Sequence, residues 1–311
     1  MTFINPKTDF AFKKIFGSQQ SKDILIGFLN AILYQEKPVI LDLEIIDPYQ
    51  APRIKGIKDS YLDVKATITE NKTVIIEMQV LNVLGFEKRV LYNAAKTFSI
   101  QLRVGEDYAR LNPVIALTIT DFDMFEGSSR VISRYRLKEK DDLTDYSDDI
   151  ELVFVELPKF DKQLGELQTL LDKWLYFLKA ANTLNSVPPT MEEVPEINHA
   201  FEVARESTLT PEELDLLEKR EMFIHDSKNA ILKAQQDAEA KGRTEGRAKG
   251  REEGKVEGRA EGREEGRVEG REEGAKEKAL SIARSLLGVL DAQTISRTTG
   301  LSVEEVEQLQ K

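Results

Sequence analysis

The 311-residue chain has no cysteine, two histidines and one tryptophan. Without cysteine there are no disulfides, no thiolate nucleophile and no zinc site built on thiolates. That composition fits a reducing compartment, so the expectation is a cytoplasmic protein. His199 and His225 lie far along the chain from the first α/β segment, which removes a histidine-based nuclease or a Ser-His-Asp arrangement there. No apolar run approaches the length of a membrane span, and the opening MTFINPKTDF lacks the basic-then-apolar pattern of a signal peptide. No glycine-rich phosphate loop follows a strand-like run.

The charge is present but unevenly spread. The net charge is −11, yet residues 1–138 carry 19 Lys and Arg against 16 Asp and Glu, whereas the remainder carries 25 against 39. The first part can meet a phosphate backbone; the rest is acidic and suits another task.

Patterning divides the chain in four. Residues 1–160 mix helical and strand periods. Helices are expected over 21–34 and 85–105, and strands over 38–47, 61–68, 73–80, 112–122, 133–139 and 150–157. Residues 161–240 read as an all-helical extension, with a leucine stripe around Trp174 and a helix entered at Pro211 behind a Thr210 cap. Over 241–275 glycine recurs every fourth residue, nine times from Gly242 to Gly274, among ten basic and ten acidic side chains. Nine glycines cost an isolated helix roughly 9 kcal/mol relative to alanine. A period of four also winds the stripe round the axis by about 40° per repeat. The segment reads as a solvated spacer, helical or disordered; close pairing of two such helices through glycine is the alternative. Residues 276–311 form a short helical module with the spacing of a helix-turn-helix. Glu304, Glu305 and Glu307 on its last helix argue against a duplex groove and for an oligomerisation or partner module.

The chemistry is concentrated in YLDVKATITENKTVIIEMQV, residues 61–80. With period-two alternation, Leu62, Val64, Ala66 and Ile68 share one face, and Tyr61, Asp63, Lys65 and Thr67 the other. In the second strand Glu77 and Gln79 oppose Val74, Ile76 and Met78. A turn at TENK places Asp63 opposite Glu77 or within one or two residues of it. Two carboxylates about 5 Å apart repel unless a proton, a basic partner or a divalent cation intervenes. Oxygen-only donors favour Mg²⁺, with Mn²⁺ or Ca²⁺ as alternatives, and such a cation suits phosphoryl chemistry. The bland reading is a solvated face on which Lys65 neutralises the pair.

The pattern Asp63…Glu77-x-Gln79 on a hairpin resembles the PD-(D/E)xK nuclease core. It is closer to the recombination-promoting nuclease and transposase (Rpn) branch, in which glutamine replaces the terminal lysine. NPKTDFAFKKIFG (5–17) and FEKRVLYNAAKTF (86–98) are similar to that branch as well. The resemblance implies a restriction-endonuclease-like α/β core, a central mixed sheet flanked by helices, followed by an all-α C-terminal half. It implies a metal-dependent DNA endonuclease acting in recombination or anti-phage defence. Asp63 and Glu77 would be its metal ligands, Gln79 would stand at the lysine position, and Asp9 would be a further acidic residue of the site. Lys65, or Arg89 from the next helix, would supply the missing positive charge. Asp9 has a second reading as a helix cap. The alternative function is a catalytically inactive nuclease fold that binds partners. DNA is the expected partner, with a homo-oligomer formed through the C-terminal helices.

Deleting 242–311 is expected to alter the oligomeric state, read by light scattering, or regulation more than the chemistry of the first domain. A soluble, folded truncation that loses its chemistry would contradict this.

Overall fold

The computed structural model describes residues 3–50 and 60–309. Contacts divide the chain into two units, Met1–Ile231 and Leu232–Lys311.

The first unit is built on a six-stranded mixed sheet. Its strands are β1 (Glu44–Ile45), β4 (Val64–Thr67), β5 (Thr73–Gln79), β6 (Val114–Thr120), β7 (Ile132–Lys138) and β8 (Asp145–Glu156), in the order β1-β4-β5-β6-β8-β7. β4 and β5 form an antiparallel hairpin, whereas β5, β6 and β8 run parallel. The return from β5 to β6 is made by α3 (Phe86–Ser99), the helical crossover that a parallel pair requires. β2 (Tyr49–Gln50) and β3 (Ser60–Tyr61) pair separately, with the Tyr49 and Tyr61 rings 4.9 Å apart. The strand expected over 38–47 contracts to two residues, and the one expected from 150 begins at Asp145.

Helices cover both faces of the sheet. On one side lie α1 (Asp9–Phe16), α2 (Lys22–Tyr34), α4 (Leu170–Ala180) and α6 (Pro195–Val203), with α5 (Pro189–Glu192) beside α6. Phe16, Phe28 and Trp174 meet there with ring centroids 4.7–6.0 Å apart, over Val64, Ile76 and Ile119 of the sheet. The helical extension after residue 161 therefore shares the core of the sheet. On the other side α3 lays Phe86, Val90 and Ala94 on Ile75, Ala116 and Phe154. All seven residues of β6 are buried, in keeping with a nearly continuous apolar run in a strand covered twice.

Leu62 departs from its expected face. The chain bends at Asp63, between β3 and β4, so Leu62 packs with Ile75 and Ala94 while Val64 and Ala66 join the opposite core. Alternation holds only within an unbroken strand, and this one is broken at the position that carries the carboxylate.

α7 (Pro211–Leu286) begins with a Thr210–Glu213 capping exchange and continues through the whole glycine repeat. A Cβ built on any of the nine repeat glycines meets nothing within 4 Å. Pairs such as Arg243–Glu239 and Arg267–Glu264 link neighbouring turns, so the acidic and basic positions offset part of the like-charge repulsion of a strict four-residue period. Within the second unit α8 (Ala292–Thr299) and α9 (Val303–Gln308) close a small core of Ala283, Ile295, Leu301 and Val306. Gly300, at φ +77°, makes the left-handed turn between them. Among the described residues no helix is long and apolar enough to cross a membrane.

Asn30 ties α2 to the chain that leads into β1. Its buried amide accepts from the Ile40 N–H and donates to the Ile40 carbonyl, both at 2.9 Å. Asn30→Ala strands both backbone groups and should cost about 2–4 kcal/mol in urea unfolding. A loss below about 0.5 kcal/mol would mean that water replaces the amide.

Candidate active site

The register Val64↔Ile76 and Lys65↔Ile75, extended by one residue, sets Asp63 against Glu77. The bend at Asp63 removes it from the strand, and its side chain takes over a main-chain role: Oδ2 accepts the Met78 N–H at 2.8 Å. Oδ1 faces Lys13 Nζ of α1 at 3.3 Å. Asp63 is thus held at the hairpin's edge rather than displayed on a strand face.

Glu77 and Gln79 alternate on β5 toward α3, as their period predicts. Asn93 Nδ2 donates to Glu77 Oε1, and Arg89 Nε stands 3.9 Å from Oε2. Gln79 Oε1 accepts from Arg89 Nη2 at 2.6 Å, while its own amide nitrogen donates to the Leu81 carbonyl at 2.6 Å. Gly85, at φ +81°, occupies the N-cap position of α3 and lets the chain turn directly from this loop into the helix that carries Arg89 and Asn93.

Burial governs the electrostatics. It raises the Asp63 carboxyl above its ordinary value; the Met78 N–H and Lys13 offset part of the rise and Asp9 adds to it. Burial likewise raises Glu77, against the opposing pull of Arg89 and Asn93, and the Asp63 charge raises it further. Glu77 therefore feels the Asp63 charge.

The remaining expected residues are placed differently. Asp9 lies within electrostatic reach of Asp63 and 3.6 Å from Arg220 of α7. It does not cap its helix: Thr8 accepts the Ala11 N–H, and Asp9 sits in the first turn. Lys65 is half-buried; burial lowers its proton affinity, and the carboxylate it responds to is Asp47, not Asp63 or Glu77. The pair gains its cations from Lys13 and Arg89 instead.

Lys13, Asn93 and Asp121 escaped the sequence reading as site residues. Asp121 follows β6 at the carboxyl end of two parallel strands, where open α/β sheets gather ligands, and its N–H donates to the Gln79 carbonyl. Its carboxylate takes Lys7 at 3.0 Å and Lys228 at 2.9 Å. Lys7 and Lys13 belong to NPKTDFAFKKIFG and Asn93 to FEKRVLYNAAKTF, so a signal existed in the motif stretches. Only the fold shows which members point to the hairpin.

A family model described as PD-(D/E)XK nuclease family transposase matches residues 6–234. The chain belongs to that family. Neither a curated protein nor a solved structure gives a significant match. Members of the PD-(D/E)XK nuclease family generally use divalent metal ions. Among the described residues of this member no group of three or more acidic or histidine side chains is assembled for a metal ion. Two desolvated carboxylates that repel each other are nevertheless an oxygen donor pair of the kind a hard cation takes.

Because the folded-state proton affinities of Asp63 and Glu77 lie above their unfolded values, their ionisation costs stability. That cost is absent below the unfolded values, grows as pH rises through the window up to the folded values, and is complete above it. Glu77→Gln should therefore raise the thermal midpoint near pH 7 by about 2–4 °C, roughly 1 kcal/mol for a unit of this size, and weaken the decline of stability with pH. A lowered midpoint would show that Arg89 and Asn93 outweigh the burial.

Proposed function

We propose that this protein is a metal-dependent DNA endonuclease of the Rpn type. The observation that carries the reading is the Asp63–Glu77 pair, two carboxylates whose proton affinity burial raises, with the Asp63 charge adding to the rise at Glu77. Asp63, fixed by the Met78 N–H, and Glu77, fixed by Asn93, would hold a divalent cation, with Mg²⁺ the first choice and Mn²⁺ or Ca²⁺ alternatives.

When bound, that cation supplies activation of water and neutralisation of phosphate charge. The protein's own groups do the rest. Lys7, Lys13, Arg220 and Lys228, gathered around the acidic residues of the site, attract and orient the DNA backbone. Water attacks phosphorus in line with the departing 3′ oxygen. One P–O bond forms as the other breaks, leaving a 5′ phosphate and a 3′ hydroxyl. The acidic C-terminal helices serve self-assembly or regulation.

A second reading, a silent nuclease fold that binds partners, draws on the neutral Gln79 and on the cations already seated on both carboxylates.

Full-length protein with supercoiled plasmid and Mg²⁺, Mn²⁺ or Ca²⁺ separates the two. Wild type should nick, and Asp63→Ala and Glu77→Ala should lose at least about 10²-fold in rate. The cation should also raise the thermal midpoint of wild type and leave both variants unmoved. Equal rates in all three proteins would exclude the enzyme.

A further inference from the structure

Accepting the nuclease reading leaves a deficit of one positive charge. A glutamine stands where the PD-(D/E)xK pattern has lysine; its amide brings no positive charge to the phosphate's non-bridging oxygens, and its nitrogen already donates to the Leu81 carbonyl. Among the described residues Lys65, Lys13 and Arg89 are the cations to weigh, since Lys7 and Lys228 pair with Asp121 and Arg220 with Asp9. Lys65 is half-buried, burial lowers its proton affinity, and the charge it responds to is Asp47. Lys13 is committed to Asp63 from the α1 side, at 3.3 Å. Arg89 reaches position 79 itself.

Its placement is specific. Nη2 donates to Gln79 Oε1 at 2.6 Å, Nε stands 3.9 Å from Glu77, and the guanidinium lies 5.1 Å from the Phe86 ring centroid. The Gln79 amide is oriented from behind, because its nitrogen donates to the Leu81 carbonyl and so turns the oxygen toward Arg89. A lysine at 79 would repel this guanidinium, whereas a glutamine holds it. Residue 79 and Arg89 together thus carry the same single positive charge as the usual lysine. A purely structural role fits less well: an ion pair at 3.9 Å, with Arg89 44% exposed, adds little to stability. Arg89 also borders an open cleft of about 540 Å³ beside Val83, Leu84, Phe86 and Tyr92, through which a strand can approach.

We propose that Arg89 is a catalytic residue of this nuclease, its guanidinium contacting the scissile phosphate, and that Gln79 is the positioning residue that aims it. A guanidinium suits the task because its planar fork binds two phosphate oxygens at once and stays charged at any working pH.

The test uses the full chain in steady-state plasmid nicking with Mg²⁺ or Mn²⁺, each variant checked for folding by near-ultraviolet circular dichroism. Arg89→Ala should lower kcat by ~10²–10³-fold with KM within about threefold of wild type. Added guanidinium should restore part of the rate, where the same ionic strength of sodium chloride should not. Gln79→Ala should lose less than Arg89→Ala. Arg89→Lys, which keeps the charge without the fork, should retain an intermediate rate, and it carries the decision if Arg89→Ala does not fold. Nicking by Arg89→Ala within about threefold of wild type, a loss confined to KM, or a folded variant deaf to guanidinium would each overturn the assignment of Arg89 while leaving the nuclease standing. If Arg89→Ala does not fold, wild-type nicking by Arg89→Lys, or none at all from a folded Arg89→Lys, overturns it too. Wild-type protein that nicks with none of these cations would remove both readings together.

Discussion

The candidate site depends on a single hydrogen bond, from the Met78 N–H to the Asp63 carboxylate. At that point β4 has bent away, and a backbone donor in the middle of a sheet would be left without its ladder partner. A buried unpaired N–H is costly, so the carboxylate that fills the gap is required by the fold as well as suited to chemistry. The same bond pins Asp63 next to Glu77. The arrangement is therefore not a pair of charges scattered on a surface: main-chain geometry holds Asp63 where its charge reaches Glu77.

Around the two carboxylates the molecule distributes compensation without cancelling their charge. Lys13 arrives from α1 and Arg89 from α3, one on each flank, and Asn93 steadies Glu77. Even so, both carboxyls keep a raised proton affinity, which means that desolvation outweighs the neighbours. A site tuned for stability would have closed this gap with a buried, well-formed ion pair or an apolar residue. Keeping it open holds free energy that a positively charged ligand can recover.

Much of the architecture was legible in the sequence, for identifiable reasons. Strand β6 announced itself by a nearly continuous apolar run, α2 by helical spacing, and the β4–β5 hairpin by alternation around a polar turn. What misled was the assumption that alternation runs unbroken from Tyr61 to Ile68; the bend at Asp63 reverses Leu62 and leaves Lys65 with Asp47. Asp121 was invisible because a carboxylate at a strand's end looks like any turn residue until the parallel neighbour is known. The role of Thr8 rather than Asp9 as cap turned on a single residue of register, below what local pattern can resolve.

The glycine repeat has a further consequence for how the chain comes apart. Side chains in the first turns of α7 and in the C-terminal core are held by packing, while the repeat between them has neither packing nor helix propensity in its favour. Local opening free energies track such support. Among the described helical segments the repeat is thus one with little to hold it, a fuse inside α7 whose melting would interrupt that helix and leave the sheet folded.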